Sequence, residues 1–289
     1  MIDVRPAPVT GVADVVERLR RELTAPDIPA PLSTGLVEMD DLLHGLRPGR
    51  VYVVGGRPGA GKTALVLGIA NAALAAGKTV MHRSLEMAAD DIVLRLVARE
   101  SRVALSDIRT RSLDPEDWSS WRRLGAAMDH IAGLPMVIDS GDGDSDDLAK
   151  WVHSLAHERA GLGLVVVDDL QRLALREVGS SRSERVEALM QRIRGIARDA
   201  EVPVIACAQC VRPVRLRDAV RAPEIGDLRD SDAIAANADV ILLLAATEAG
   251  LGPGLAQLQV AKNRHGSMGA VTLAFIDHIV RFAAIACPT

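Results

Sequence analysis

Val51-Tyr52-Val53-Val54-Gly55-Gly56-Arg57-Pro58-Gly59-Ala60-Gly61-Lys62-Thr63 begins as an apolar strand and ends as G-x-x-x-x-G-K-[ST]. The next residues, from Ala64, form an Ala/Leu-rich helical pattern, so the motif lies between a strand and a helix, the context it requires. Its glycines let the backbone curl so that successive N–H groups converge on an anion. The start of the helix adds partial positive charge. Gly56, Arg57, Pro58, Gly59, Ala60, Gly61, Lys62, Thr63 and Ala64 are therefore the candidate triphosphate cradle. Lys62 is expected at the β/γ-phosphates and the Thr63 hydroxyl on Mg²⁺.

Outward from this segment, strand and helix patterns alternate. Apolar runs suited to strands fall at 50–55, 78–84, 135–139, 163–168, 202–208, 239–245 and 256–261. Helical spacing occupies 62–76, 88–101, 115–131, 145–160 and 183–200. Runs such as Leu164–Val167 and Ile241–Leu244 are continuously apolar, as strands covered on both faces are. Repeated strand–helix units predict an α/β fold with a mainly parallel, twisted sheet covered by helices. The segments 270–276 and 279–284 read as a closing hairpin. Before all this, residues 12–23 place Val12, Val15, Val16, Leu19 and Leu23 on one helical face. The three prolines of 25–32 stop that helix. A short helical arm over 1–30 and a main domain over 31–289 are expected.

The 289 residues carry 34 basic and 38 acidic side chains, a net charge of −4. That balance does not suggest a nucleic-acid binder, although a basic channel can sit inside an acidic shell. Only six residues are aromatic, two Phe, three Trp and one Tyr. The core must be aliphatic, and stacking platforms for single-stranded bases are disfavoured. No apolar run approaches the roughly 18 residues of a membrane span, and no secretory h-region opens the chain. Three cysteines are too few for a disulfide framework, so a reducing cytoplasm is expected. Cys207-Ala208-Gln209-Cys210 fits C-x-x-C but has no second ligand pair for zinc. It reads as a core Cys207 and a loop Cys210, and His82 reads as packing within a strand.

Leu164–Val167 ends in Asp168. An acid at the carboxyl edge of a parallel sheet faces the ligand crevice, so Asp168 is the candidate Mg²⁺ acid. Asp169 could share that role, but side chains alternate on a strand, so one of the two points elsewhere. The strand from Thr79 ends in Ser84-Leu85-Glu86-Met87. A carboxylate there can orient a water in line with the γ-phosphate and accept its proton, or serve only as a first-turn acid.

Taken together, these residues resemble the C-terminal motor domain of DnaB-type replicative helicases, over roughly residues 33–283. The markers are Ser33-Thr34-Gly35, Leu46-Arg47-Pro48-Gly49, the phosphate loop, Ser84-Leu85-Glu86-Met87, Asp117-Trp118 and Asp168 with Leu170-Gln171. Ala208-Gln209, Asp227-Leu228-Arg229 and Ala261-Lys262-Asn263-Arg264-His265-Gly266 complete the series. The resemblance implies a RecA-like P-loop ATPase (ASCE) core, ATP and Mg²⁺ as cofactors, and hexameric rings with nucleotide between subunits. It also implies single-stranded DNA as partner and 5′→3′ unwinding, with a loader or primase-like partner alongside. It assigns Glu86 to the attacking water, Gln209 to the γ-phosphate, and Lys262 and Arg264 to a neighbour's nucleotide. The arginines of 211–229, namely Arg212, Arg215, Arg217, Arg221 and Arg229, would line the channel and hold phosphates without reading sequence. Arg172, Arg176, Arg182 and Arg185 form a second candidate loop, in which Glu177, Glu184 and Glu187 could neutralise several of them.

The sequence also departs from the pattern it resembles. Asp232 stands where a Gly approaches DNA, and Asp169 stands where an aromatic follows the metal acid. The N-terminal domain of the family is expected to be missing. Each departure weakens unwinding more than ATP hydrolysis. An ATP-switched assembly or recombination-mediator protein, which binds DNA without unwinding it, is the alternative.

Overall fold

The structure, a computed structural model, describes residues 11–24, 31–158, 161–179, 181–211, 221–245 and 252–285. The chain divides into two units, Met1–Pro31 and Leu32–Thr289. The first contributes helix α1 (Val12–Thr24), on which Val12, Val16 and Leu19 are exposed.

The second unit is built on one nine-stranded sheet. In chain order its strands are β1 (Val51–Gly56), β2 (Thr79–Ser84), β3 (Met136–Asp139), β4 (Leu162–Asp168) and β5 (Val204–Gln209). They continue as β6 (Val240–Ala245), β7 (Leu255–Asn263), β8 (Gly269–Ile276) and β9 (Arg281–Ala284). The spatial order is β3-β2-β4-β5-β1-β6-β7-β8-β9. Strands β1 to β6 pair in parallel, and β7, β8 and β9 add an antiparallel flank. The mainly parallel sheet read from the apolar runs is therefore present, and 270–276 with 279–284 do form the closing hairpin.

Alternation along β1 shows why its apolar run has no polar side. Val51 and Val53 enter the core under α7 (Ser145–Glu158) and α9 (Arg182–Asp199). Tyr52 and Val54 enter the opposite core with α3 (Lys62–Ala75). Both faces are covered, so every residue of β1 is buried. Helix α3 is apolar around its circumference and lies buried on the sheet, as such a helix must.

Aliphatic side chains fill both cores, as the scarcity of aromatics requires. Tyr52 is the one tyrosine, and it is buried with its hydroxyl accepting from Arg47 N at 2.9 Å. The two phenylalanines stack on each other, ring centroids 4.5 Å apart.

Helices α4 (Ala89–Ser101) and α6 (Trp118–Ala132) occupy the predicted windows, and Asp117 caps α6 through Ser120 N. Four short helices were not legible from spacing: α2 (Val37–Leu43), α5 (Leu105–Thr110), α8 (Leu170–Ala174) and α10 (Ser231–Asn237). None exceeds seven residues, too short for a 3.6-residue period to repeat convincingly. Cys207 is in the core as expected. Cys210 is not an open loop residue: it is buried and bridges to Leu228, because the chain after β5 continues extended beside 227–229. Among the described residues no helix is long and apolar enough to cross a membrane.

Candidate functional site

Parallel pairing gathers the candidate residues at one edge of the sheet. Gly56 is in register with Gln209, and Ser84 with Asp168. The carboxyl ends of β1, β2, β4 and β5 thus lie side by side, where α/β sheets open their ligand crevice.

The phosphate loop takes the shape its glycines permit. Gly59 and Gly61 both have left-handed backbone, φ 84° and 92°. A Cβ on Gly59 would meet nothing within 4 Å, so the loop borders open space at that residue. A Cβ on Gly61 would instead approach the Phe282 ring at 3.0 Å, and that ring buttresses the loop from below. Lys62 curls inward, its ammonium donating to Gly56 O (3.1 Å) and Arg57 O (3.3 Å). Those carbonyls occupy the acceptor role that phosphate oxygens would take. Arg57 turns the other way and donates through Nη2 to Arg221 O at 3.1 Å.

Thr63, in the first turn of α3, donates its hydroxyl to Asp168 Oδ2 at 2.6 Å. Asp168 is 2% exposed, and its Oδ1 is buried with no hydrogen-bond partner among the described residues. A buried carboxylate oxygen left bare costs free energy unless a cation or water meets it. A hydroxyl and an acid facing one point, beside a phosphate cradle, form a donor set suited to Mg²⁺.

Glu86 lies in the exposed turn after β2. Two hydrogen bonds fix that turn: Leu85 N donates to Asp168 O at 2.6 Å, and Ser84 Oγ donates to Met87 O at 2.6 Å. The candidate water-orienting acid is therefore tied to the backbone of the candidate metal acid.

Asp169 and Gln171 are more deeply involved than spacing suggested. Asp169 is fully buried and caps α8, accepting from Arg172 N at 2.7 Å. Its other oxygen accepts from Gln209 Nε2 at 2.6 Å. Burial pushes the Asp169 carboxyl above the ordinary carboxylate range, and the negative Asp168 beside it pushes the same way. The Arg172 N–H and the Gln209 amide oppose them. Gln171 Oε1 accepts from Gln209 N at 2.9 Å, and its Nε2 donates to Arg229 O at 3.3 Å. Only the position of Gln171 in the first turn of the helix after the acid hinted at this.

Lys262 and Arg264 stand apart from this cluster. Lys262 is in register with Ile241 near the start of β6, whereas Gly56 pairs with Leu244 near its end. Three residues along the strand direction, roughly 10 Å, together with two strand spacings across the sheet, separate the pair from its own phosphate loop. Lys262 Nζ donates to Ala238 O at 2.7 Å and also to Ala235 O, while Arg264 Nη2 donates to Ala236 O at 3.3 Å. Both cations thus sit at the C-terminal end of α10, where the helix dipole favours them. Burial, and then the charge of Arg264, pull the Lys262 ammonium below its usual range.

Of the candidate DNA-contacting arginines, Arg212, Arg215 and Arg217 lie outside the described residues. Arg221 holds Asp227 with both Nη atoms, each at 2.7 Å. Arg229 is exposed, with its backbone N donating to Gln209 O at 3.1 Å. In the other candidate loop, Arg176 pairs with Asp142 and Arg182 with Asp230, each at 2.8 Å. Of the acids expected beside them, Glu177 accepts from Ser145 N, Glu184 closes a capping box with Ser181, and Glu187 accepts from Gln191 Nε2.

Comparison with known proteins agrees with this layout. The family described as DnaB-like helicase C terminal domain matches residues 31–284. The replicative DNA helicase DnaB of Pasteurella multocida is 34% identical over 263 residues, which are 88% of this chain and 56% of that protein. That of Geobacillus stearothermophilus is 32% identical over 262 residues, 87% of this chain and again 56% of the relative. The chain thus spans about half the length of these relatives.

Two solved structures share the fold. A DnaB-like replicative helicase, described with its interactions with primase, superposes with a TM-score of 0.85 at 24% identity, covering 97% of this chain and 68% of that one. A second solved structure, of an isolated ATPase domain, gives a TM-score of 0.86 at 23% identity, covering 96% of this chain and 100% of that one. The sheet, its covering helices and the phosphate loop at its carboxyl edge are RecA-like, and the chain belongs to the family of DnaB-like helicase C-terminal domains.

Proposed function

We propose that this protein is an Mg²⁺-dependent ATPase that assembles as a ring, hexameric as the family pattern implies, and moves 5′→3′ on single-stranded DNA to separate duplex. Residues 31–289 would be the motor and residues 1–30 an arm. The observation that carries the reading is the meeting of Thr63 and Asp168 at 2.6 Å beside the open phosphate loop, with Asp168 Oδ1 buried and unmatched among the described residues.

In this reading the backbone N–H groups of 56–63 and the Lys62 ammonium bind the β- and γ-phosphates. Lys62 exchanges the Gly56 and Arg57 carbonyls for phosphate oxygens as it does so. Bound Mg²⁺, held by Thr63 and Asp168, supplies charge neutralisation. Glu86 orients the attacking water and takes its proton. Gln209 contacts the γ-phosphate and passes its state to Arg229 through the paired backbones of 209–211 and 227–229. Lys262 and Arg264 serve the adjacent subunit's nucleotide, because they face away from their own. Arg212, Arg215, Arg217, Arg221 and Arg229 contact DNA phosphates, with a loader or primase-like protein as a further partner. A cytoplasmic setting suits Cys207 and Cys210, which are both free thiols.

The test is ATP turnover with and without single-stranded DNA, together with a strand-displacement assay. DNA-stimulated turnover with displacement supports the reading, and turnover with no displacement under conditions that permit rings overturns its helicase part. A second reading, a nucleotide-switched DNA-bound assembly protein, draws support from the same segment. There Arg221 is engaged by Asp227, Asp230 is held by Arg182, and Asp232 adds negative charge. It predicts nucleotide-dependent binding to DNA without strand movement.

A further inference from the structure

We propose that Asp169 is a positioning residue: it fixes which way the Gln209 carboxamide faces, and so sets how strongly the site prefers a nucleoside triphosphate over a diphosphate. The proposal rests on the reading of Gln209 as the γ-phosphate sensor and adds a residue that this reading does not use.

An ionised carboxylate only accepts hydrogen bonds, whereas a carboxamide has a donating and an accepting end. Gln209 Nε2 meets Asp169 Oδ2 at 2.6 Å, so its nitrogen end must turn toward Asp169. Asp169 cannot swing aside to release it, because its Oδ1 holds Arg172 N at 2.7 Å as the cap of α8.

The base of the Gln209 side chain is held as firmly. Its backbone N donates to Gln171 Oε1 at 2.9 Å, and its backbone O accepts from Arg229 N at 3.1 Å. Thus Asp169 holds the tip of the sensor and Gln171, two residues on, holds its root. The Nε2 atom carries two hydrogens, and the bond to Asp169 uses one. The other remains for a phosphate oxygen. A sensor held in this way does not lose rotamer entropy on each encounter with a triphosphate. Without Asp169 the amide would turn freely, and half its orientations would offer an oxygen to an anion.

Gln171 extends the same device to the arginine segment. Its Nε2 donates to Arg229 O at 3.3 Å, so the first turn of α8 touches the metal acid's strand, the sensor and the Arg229 backbone. A reorientation of Gln209 therefore has a direct covalent and hydrogen-bonded path to Arg229.

The experiment uses the full chain and isothermal calorimetry with Mg·ADP and with a non-hydrolysable triphosphate, Mg·AMP-PNP. Wild type is compared with Asp169→Ser, Gln209→Ala and the double variant. Serine caps a helix about as well as aspartate, so α8 keeps its cap, but one hydroxyl cannot hold Gln209 as well. Asp169→Thr, also a capping residue with one hydroxyl, provides the same loss should the serine variant fold poorly.

The expected result is a fivefold to tenfold weakening, roughly one hydrogen bond, for the triphosphate analogue relative to ADP. In the Gln209→Ala background the same change at 169 should add nothing, the mark of residues acting as a pair. Two results overturn the proposal: a triphosphate-to-diphosphate affinity ratio that does not change, or an effect that persists without Gln209. If wild type binds neither nucleotide, the phosphate-site reading falls first, and that outcome is distinct from the other two.

Discussion

Thr63 and Asp168 lie 105 residues apart in the chain and meet hydroxyl to carboxylate at 2.6 Å. Helix α3 delivers one and strand β4 the other, and the second carboxylate oxygen is left buried and bare among the described residues. Removing metal should therefore abolish ATP turnover. Chelation with EDTA is expected to stop phosphate release and added Mg²⁺ to restore it. Asp168→Asn should raise the Mg²⁺ concentration giving half-maximal rate at least tenfold, read from phosphate release across a magnesium series. Turnover that persists in EDTA would contradict the assignment.

Glu86 sits in a turn pinned to the Asp168 backbone, and its role is separable from binding. Glu86→Gln should keep nucleotide affinity while turnover falls by roughly 10²–10⁴, the usual contribution of a positioned acid–base group. Calorimetry and a phosphate-release assay on the same preparation check this. Turnover close to wild type would remove Glu86 from the reaction.

Lys262 and Arg264 lie at the far end of β6 from their own phosphate loop, so in the proposed ring they act only across a subunit boundary. Arg264→Ala and Lys62→Ala should each be inactive alone, yet a mixture should regain turnover. In the mixture a subunit with an intact loop can sit beside one with an intact Arg264. The fold should barely notice Arg264→Ala, since its ion pair to Asp239 is long (3.9 Å) and partly exposed, worth under about 1 kcal/mol. No recovery on mixing, with oligomers present, would argue that the pair acts elsewhere.

Phe282 supports the loop from within the fold. It is 4% exposed, stacks on Phe275, and lies where a Cβ on Gly61 would clash. Phe282→Ala should cost about 3 kcal/mol by opening a cavity and should weaken nucleotide binding by loosening Gly61. Urea denaturation and calorimetry read the two effects, and a loss of stability with unchanged nucleotide affinity would separate the ring from the loop.

His82 makes stability depend on acid. It is wholly buried in β2, and neither ring nitrogen has a hydrogen-bond partner among the described residues. Burial pulls its pKa down to about 4, against a smaller upward pull from Asp168. The unfolded imidazole takes up a proton below about 6.5, which the folded one refuses until near 4. This contribution is therefore fully present above 6.5 and is lost as the pH falls from there toward 4, by roughly 3 kcal/mol. His82→Leu should flatten that arm of the stability–pH curve, measured by urea denaturation from pH 7 to pH 4.5. An unchanged acid arm would show that other groups carry it.

The parts legible in the sequence are those where one residue type has one physical use. Gly59, Gly61, Lys62 and Thr63 announce a phosphate loop because few other structures need that combination. Val165–Val167 followed by Asp168 announces a strand end because an acid closing an apolar run belongs at the sheet edge that faces the ligand crevice. What could not be read depends on tertiary meetings. The bond between Gln209 and Asp169 joins two strand ends 40 residues apart. Arg221 reads as a channel arginine holding DNA phosphate until Asp227 folds back against it. Short helices such as α8 and α10 have too few turns to show a period, yet they hold Gln171 and receive Lys262. The reach of Lys262 and Arg264 away from their own loop follows only from the antiparallel turn of β7 against β6.

The most direct measurement is calorimetric titration of the folded full chain with ATP and Mg²⁺, beside the Lys62→Ala variant. The account predicts saturable binding by wild type and its loss, or a weakening of at least a hundredfold, when the ammonium is removed. No heat from wild type at millimolar nucleotide, or equal binding by the variant, would contradict it.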